Sequence, residues 1–321
     1  MSISVLIPLY NCAEYLKTSL SSVVNQTYKD IEIVIIDNYS TDNPLEIINS
    51  FKDERIKYFK LEKSTLSNTL NYGLTKCTHE IVARMDADDI MIPQRLEKQI
   101  NIFRESGSSL ILSSWYSIFE KEKILYTVRS AKGHREIRKR LALHSEIIHS
   151  GVMYNKDFIL SFGGYDPKIK IEDYELWLRV NNKAEFRNIP EVLTIVRYRP
   201  ESISWSDLDT KKKSIYDYQE KYFSDEMLSN IGYKSRSEQQ IIKGWREYFY
   251  GEKSKARTYW KNANSKLEIR RMLAALTTYF PEDKFVKFKE SRAKFRLAYL
   301  LNYYSGESKT SRSAFKRLLK N

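Results

Sequence analysis

Cysteine and histidine are scarce in this chain of 321 residues, with two of the first and four of the second. Cys12 and Cys77 cannot supply a disulfide framework, and so few cysteines fit a reducing, cytoplasmic compartment. No Cys/His group has the spacing of a zinc site. Long apolar runs are missing too. The longest uncharged stretch, residues 106–119, is rich in serine and falls short of the roughly 18 residues a membrane helix needs. No basic residue precedes Lys17, so the opening segment does not read as a secretory leader. Glycine numbers only ten, and none lies in Pro8-Leu9-Tyr10-Asn11-Cys12. A dinucleotide-binding dehydrogenase and a nucleotidyltransferase would both want a Gly-rich turn there. Aromatic and apolar residues, by contrast, are plentiful: 23 Tyr, 14 Phe and 5 Trp in a 42% hydrophobic composition exclude wholesale disorder.

The net charge of +13 is unevenly placed. Residues 1–205 carry 28 basic and 27 acidic side chains, whereas residues 206–321 carry 26 and 14. Together with the length, this predicts two units, 1–205 and 206–321. A basic block of this kind either faces phosphate, on nucleic acid or an anionic membrane, or is a solvated helical surface. No RNA-module motif or zinc finger accompanies it, so nucleic acid is not an expected partner.

The first unit alternates short β-branched runs with amphipathic stretches. Residues 3–8, 31–36, 56–61, 80–85 and 109–113 read as buried strands. Residues 14–26 carry Leu16, Leu20, Val23 and Val24 on one helical stripe. Pro44 and Pro93 stand where a first helical turn tolerates proline, and residues 66–75 form a further helix. This order predicts an α/β fold, a mostly parallel sheet with helices on both faces, whose ligands bind beyond the carboxyl ends of the strands. From residue 206 glycine and proline thin out. Helices are expected near 207–223, 235–249, 253–263, 266–279, 283–304 and 309–319, with breaks at Gly232, Gly251, Pro281 and Gly306.

Three carboxylates crowd the end of the fourth strand, in Met85-Asp86-Ala87-Asp88-Asp89. Unscreened, they would raise one another's pKa, and a hard divalent ion shared with a phosphate ligand relieves that repulsion. The plainer alternative is that Asp88 or Asp89 caps the helix near Pro93. A second acidic cluster, Glu172-Asp173-Tyr174-Glu175, opens a helix continued by Leu176 and Trp177. Carboxylates at a helix start are also ordinary dipole partners, so this motif alone leaves capping and catalysis open. Asp37 follows the second strand; it reads as a ligand-facing carboxylate because Ser40 and Asp42 already supply turn chemistry.

At these residues the chain resembles the family 2 glycosyltransferases, over about residues 2–205. Ser4-Val5-Leu6-Ile7-Pro8-Leu9-Tyr10-Asn11 is similar to the family's opening strand and loop, and Asp37-Asn38-Tyr39-Ser40-Thr41-Asp42 to its Asp-Asp-Gly-Ser-Thr-Asp turn. Ala83-Arg84-Met85-Asp86-Ala87-Asp88-Asp89-Ile90, with Pro93, Arg95, Leu96 and Gln99, resembles one bacterial branch. Gly163-Gly164-Tyr165-Asp166 followed by Glu172 to Arg179 resembles the acceptor-side segment. The resemblance implies a GT-A fold and inverting transfer of one sugar from a nucleotide-diphosphate donor, UDP above all, to a saccharide acceptor. It implies that Asp37 holds the base or ribose, with Pro8, Tyr10 and Asn11 walling the pocket, and that Asp86 contacts ribose or donor sugar. Asp88 would bind Mn2+ or Mg2+, Arg84 and Asp89 would support the donor, and Asp173 would be the general base with Glu172 beside it.

Several positions depart from the family pattern. Asn38 and Tyr39 replace Asp and Gly, and Asn tolerates left-handed turns. Thr65 stands where base-contacting residues are common. Arg199 replaces a His that could touch metal, and an arginine there would clamp diphosphate or lie idle at the surface. His149 and Trp177 fall on the acceptor side, His149 either as a contact or as a packed core residue. The processive Gln-Xaa-Xaa-Arg-Trp motif is missing, so a single transfer per encounter is expected. Aromatics interleaved with cations in 245–250, 259–261 and 285–304 suit either a small bundle's core or an anionic membrane surface. The second choice would bring the enzyme to a lipid-diphosphate-linked acceptor at the inner face of the cytoplasmic membrane, in O-antigen, capsule or exopolysaccharide assembly.

Overall fold

The computed structural model describes residues 1–121, 123–199 and 208–263. Nine strands form one sheet: β1 (Ile3–Leu9), β2 (Ile31–Asp37), β3 (Ile56–Lys60), β4 (Ile81–Arg84), β5 (Ile90–Met91), β6 (Leu110–Glu120), β7 (Lys123–Val128), β8 (Met153–Asn155) and β9 (Glu185–Arg197). Its order is β3-β2-β1-β4-β8-β6-β9-β5, with β7 hairpinned onto β6. The first four strands run parallel. Every residue of β1 and β2 is buried, the signature of a sheet covered on both faces.

Period-two alternation decides which face each side chain serves. Ile3, Val5, Ile7, Ile33 and Ile35 point to one core, lined by α1 (Ala13–Val24), α2 (Pro44–Ser50) and α4 (Arg95–Arg104). Leu6, Val34 and Ile36 point to the other, beneath α3 (Leu66–Lys76), α5 (His134–Leu141), α6 (Lys156–Ser161) and α7 (Glu172–Val180). Both expected layers of helices are therefore present.

The second half of the sheet is less regular than its sequence suggests. The expected strand at 109–113 extends to Glu120, and β9, thirteen residues long, was not anticipated. The cause is Pro190, which reads as a strand breaker. The register between β6 and β9 jumps from Ser114↔Ile189 to Trp115↔Val192, so Pro190 sits in a bulge and donates to no ladder. β9 also pairs antiparallel with the two-residue β5, Ile195 opposite Ile90. That short ladder brings the end of β9 to the acidic loop.

Beyond residue 208 come α8 (Leu208–Tyr222), α9 (Asp225–Asn230), α10 (Arg236–Tyr250) and α11 (Lys253–Asn262). Three match expected helices, and α9 is additional. Phe223, Leu228, Ile231 and Ile242 join the core that holds Trp177 and Leu176. Buried Gln219 donates to the Leu143 carbonyl (2.9 Å), and Tyr222 donates to Glu175 (2.6 Å). Trp245 stacks on Phe249 and meets Trp260 edge-on, with ring centroids 5.5 and 5.1 Å apart. The expected helices at 266–279, 283–304 and 309–319, with Pro281 and Gly306, lie outside the described residues. Among the described residues, no helix is long and apolar enough to cross a membrane.

Candidate active site

The carboxyl ends of β1, β2 and β4 place three loops side by side. Leaving β1, Tyr10 is exposed, and Asn11 turns with φ +46°. The Asn11 amide donates to Ser40 Oγ (3.1 Å), and its side-chain oxygen accepts from the Thr41 amide (2.9 Å). Asp42 accepts from the Ala13 amide (2.7 Å), at the start of α1. Pro8 is buried within β1.

Asp37 requires a correction. Its own Oδ1 accepts the Ser40 amide (2.8 Å), so Asp37, and not Ser40 with Asp42, closes the turn after β2. Its Oδ2 accepts from Tyr58 OH (2.6 Å), and the residue is 1% exposed. Each oxygen thus accepts one hydrogen bond from the protein. The left-handed position falls on Tyr39 (φ +65°), at the family's glycine, and not on Asn38. Tyr39 is exposed with Lys60 Nζ 5.6 Å from its ring centroid. Asn38 instead ties down Ser64, accepting from its amide (2.7 Å) and donating to its carbonyl (2.8 Å). Thr65 caps α3, accepting from the Asn68 amide (3.2 Å).

The acidic loop after β4 gathers three carboxylates. One oxygen from each of Asp86, Asp88 and Asp89 lies within 4.8 Å of the others. None caps α4, whose N-cap is Gln94 without a side-chain bond. Three arginines surround the trio. Arg84, 2% exposed, pairs with Asp86 at 2.5 Å; Arg199 pairs with Asp88 at 2.8 Å; the Arg197 amide donates to Asp89 Oδ1 (2.8 Å). Arg197 Nε also donates to the Asp88 carbonyl (2.9 Å). Asp89 Oδ2 is buried without a partner, as is Arg84 Nε. Burial, then Asp86, pushes the Asp88 carboxyl above the usual range despite Arg199. Burial and the two neighbouring carboxylates push Asp89 up further. Cys12, nearly buried beside Arg199, has its thiol pushed up to about 12 by burial and then by Asp88.

Arg95, which the sequence offered only as part of a motif, holds this loop from below. Fully buried, it donates to the Ser150 carbonyl (2.8 Å), the Arg84 carbonyl (2.8 Å) and Gln99 (3.0 Å). Ser150 Oγ in turn accepts from the Asp86 amide (3.1 Å). Arg95→Met is expected to cost about 2–5 kcal/mol, since two buried carbonyls lose their donors. Urea unfolding of the variant measures it.

Across Arg84 lies the second acidic pair. Glu172 is buried and Asp173 half-buried at the start of α7, where Asp173 Oδ1 accepts from the Tyr174 amide (2.7 Å). Arg179 fixes this helix to the turn before it, pairing with Glu175 (3.1 Å) and donating to the carbonyls of Gly164 (2.7 Å) and Phe162. Gly163 and Gly164 take φ +87° and +67°, which a side chain would strain. His149 is buried, its Nε2 3.0 Å from Tyr165 OH and its Nδ1 3.6 Å from Glu172. The packed reading of His149 is thus the observed one. Trp177 is likewise corrected: fully buried against His149, it presents no surface to an acceptor.

Burial, with the Asp173 charge second, raises the Glu172 carboxyl from its ordinary 4.5 to about 7. Between these values the folded state holds a proton that the unfolded chain has lost, so stability falls as pH rises through that window. Glu172→Gln is expected to flatten this fall, read from melting temperatures of the metal-free protein between pH 4.5 and 7.5.

Residues 4–161 match the family model "Glycosyl transferase family 2". Over 214 residues the chain is 34% identical to the O-antigen biosynthesis glycosyltransferase WbnJ of Escherichia coli, covering 64% of this chain and 83% of that protein. The chain belongs to glycosyl transferase family 2. The glycosyltransferase is also 33% identical, over 208 residues, to the Escherichia coli UDP-Gal:alpha-D-GlcNAc-diphosphoundecaprenol beta-1,3-galactosyltransferase, covering 62% of this chain and 75% of that one. Its fold is the GT-A type. It superposes on Staphylococcus aureus TarS 1–349, crystallised with UDP-GlcNAc, with a TM-score of 0.60 and 17% identity, covering 82% of this chain and 79% of that one.

Proposed function

We propose that this glycosyltransferase moves one sugar, with inversion, from a UDP-sugar to a saccharide carried on a lipid diphosphate, in the assembly of a surface polysaccharide. The observation that carries the reading is the pairing of two acidic groups across one buried arginine: a trio with an orphaned oxygen, and a pair at the start of α7. The trio fits a hard cation, because Asp89 Oδ2 is buried without a hydrogen bond and burial raises the Asp88 and Asp89 carboxyls. Asp88 and Asp89 would hold Mn2+ or Mg2+, which when bound offsets the charge that develops on the leaving diphosphate.

The chain's own groups do the rest. Asp173 takes the proton of the acceptor hydroxyl as its oxygen attacks the anomeric carbon, from the face opposite the leaving nucleotide. One such displacement inverts the centre. Glu172, its carboxyl raised to about 7 by burial and then by the Asp173 charge, flanks that base. Asp86, paired with Arg84, faces ribose and donor sugar. Asn11, Tyr10 and Pro8 wall the base pocket, and Asp37 acts through Ser40 and Tyr58 to hold that wall in place. Arg199 meets the diphosphate.

UDP is favoured because the galactosyltransferase relative is named for a UDP donor, and the lipid-diphosphate acceptor because it is named for one. Residues 206–321 are proposed as a second unit that faces an anionic inner membrane surface, on the strength of their basic excess. The test is a screen of nucleotide release from UDP-, GDP- and dTDP-sugars, with Mn2+ and with chelator. Free sugar and prenyl-diphosphate-linked sugar serve as acceptors, the latter in neutral and in anionic vesicles. Release that ignores metal, the lipid diphosphate or vesicle charge overturns that part of the reading.

A further inference from the structure

Arg197 and Arg199 reach the acidic loop together from the end of β9, but they are held in different ways. The Arg197 guanidinium lies 4.4 Å from the ring centroids of both Tyr15 and Phe119, and its Nε is spent on a backbone carbonyl. It is a fixed part of the wall. Among the described residues, Arg199 pairs with Asp88 at 2.8 Å, has the weak Cys12 sulfur as its second acceptor (3.7 Å), lies 5.2 Å from the Tyr15 ring centroid, and keeps its buried Nε without a hydrogen bond. A guanidinium satisfied at one corner and unsatisfied at another is poised to exchange a carboxylate for an anion that can take it bidentately. While it stays, three carboxylates face three guanidiniums, Arg84 on Asp86, Arg199 on Asp88 and Arg197 beside Asp88 and Asp89, and little charge is left to attract a dication.

We infer that the Asp88–Arg199 ion pair is an exchangeable latch. Arg199 occupies Asp88 until a diphosphate draws the guanidinium onto its own oxygens, so the dication enters the trio with the nucleotide and not ahead of it. This rests on the metal-dependent reading above and adds an order of binding to it. The trio is more than an acidic cluster, because Asp89 Oδ2, on a residue 2% exposed, makes no hydrogen bond. The latch also gives a physical reason for arginine where a metal-touching histidine is usual: a histidine there would recruit the ion, whereas an arginine withholds its ligand.

The experiment is a titration of Mn2+ followed by electron paramagnetic resonance, with and without UDP, on full-length protein. In the wild type UDP should raise Mn2+ affinity at least about tenfold. Arg199→Gln should bind Mn2+ alone about tenfold more tightly than wild type and lose most of the gain from UDP. Arg199→Lys, which keeps the charge, should stay close to wild type without UDP. Equal Mn2+ affinity of wild type and Arg199→Gln without UDP, while UDP still promotes binding in both, overturns the latch and leaves the metal reading standing. A wild type indifferent to UDP overturns the latch even where Arg199→Gln fails to fold. If Mn2+ binds neither protein even with UDP, the metal reading falls and the latch with it.

Discussion

Asp173→Asn is expected to lower turnover by about 10²–10⁴-fold while donor affinity, read by calorimetry with the UDP-sugar, changes little. The argument is geometric. Asp173 is half-buried at the start of α7, within the field of the Arg84 guanidinium, with one oxygen held by the Tyr174 amide. Burial raises its carboxyl, as suits a base working near neutral pH. Asparagine preserves size and the accepting oxygen but cannot take the proton. Near-normal turnover in the variant would remove Asp173 as the base and direct attention to Glu172. Glu172→Gln separates the two, since it should keep much of the activity if Glu172 only flanks the base.

Asp88→Ala is expected to abolish the part of nucleotide binding that depends on Mn2+, at least about 100-fold, while metal-free affinity for UDP persists. Removing this carboxylate takes away a ligand of the proposed cation and also frees Arg199 for phosphate. The two effects have opposite signs, and the presence of metal decides which is seen. Titrations of UDP in Mn2+ and in chelator therefore give the two halves of the answer. Unchanged affinity in Mn2+ would refute the assignment of Asp88. The outcome also bears on specificity, because a site held by arginine alone ranks nucleotides by phosphate count.

Much of the donor half was legible in the sequence. Residues 3–8, 31–36 and 80–85 became β1, β2 and β4 with ends shifted by a residue or so, because fully buried parallel strands are continuous β-branched runs. The acidic loop and the start of α7 were legible for a different reason: carboxylates in such numbers have few uses. The limits are equally specific. Pro190 hid β9, because a bulge that shelters a proline leaves no period to read. Asp37 was assigned to ligand because Tyr58, its partner, lies twenty-one residues away on the next strand. Trp177 was assigned to the acceptor side, but the helix that carries it turns that face to the core.

What the chain determined by itself is the inventory and its local placement: carboxylates at two strand ends and at one helix start, on a sheet covered from both sides. Those follow from short-range pattern, where neighbours in sequence are neighbours in space. Tertiary structure decided which cation meets which anion. Arg197 and Arg199 stand about 110 residues from the acidic loop and reach it only because β5 and β9 pair at Ile90 and Ile195. A charge can be counted from a sequence, but the charge that offsets it depends on the register of a two-residue ladder.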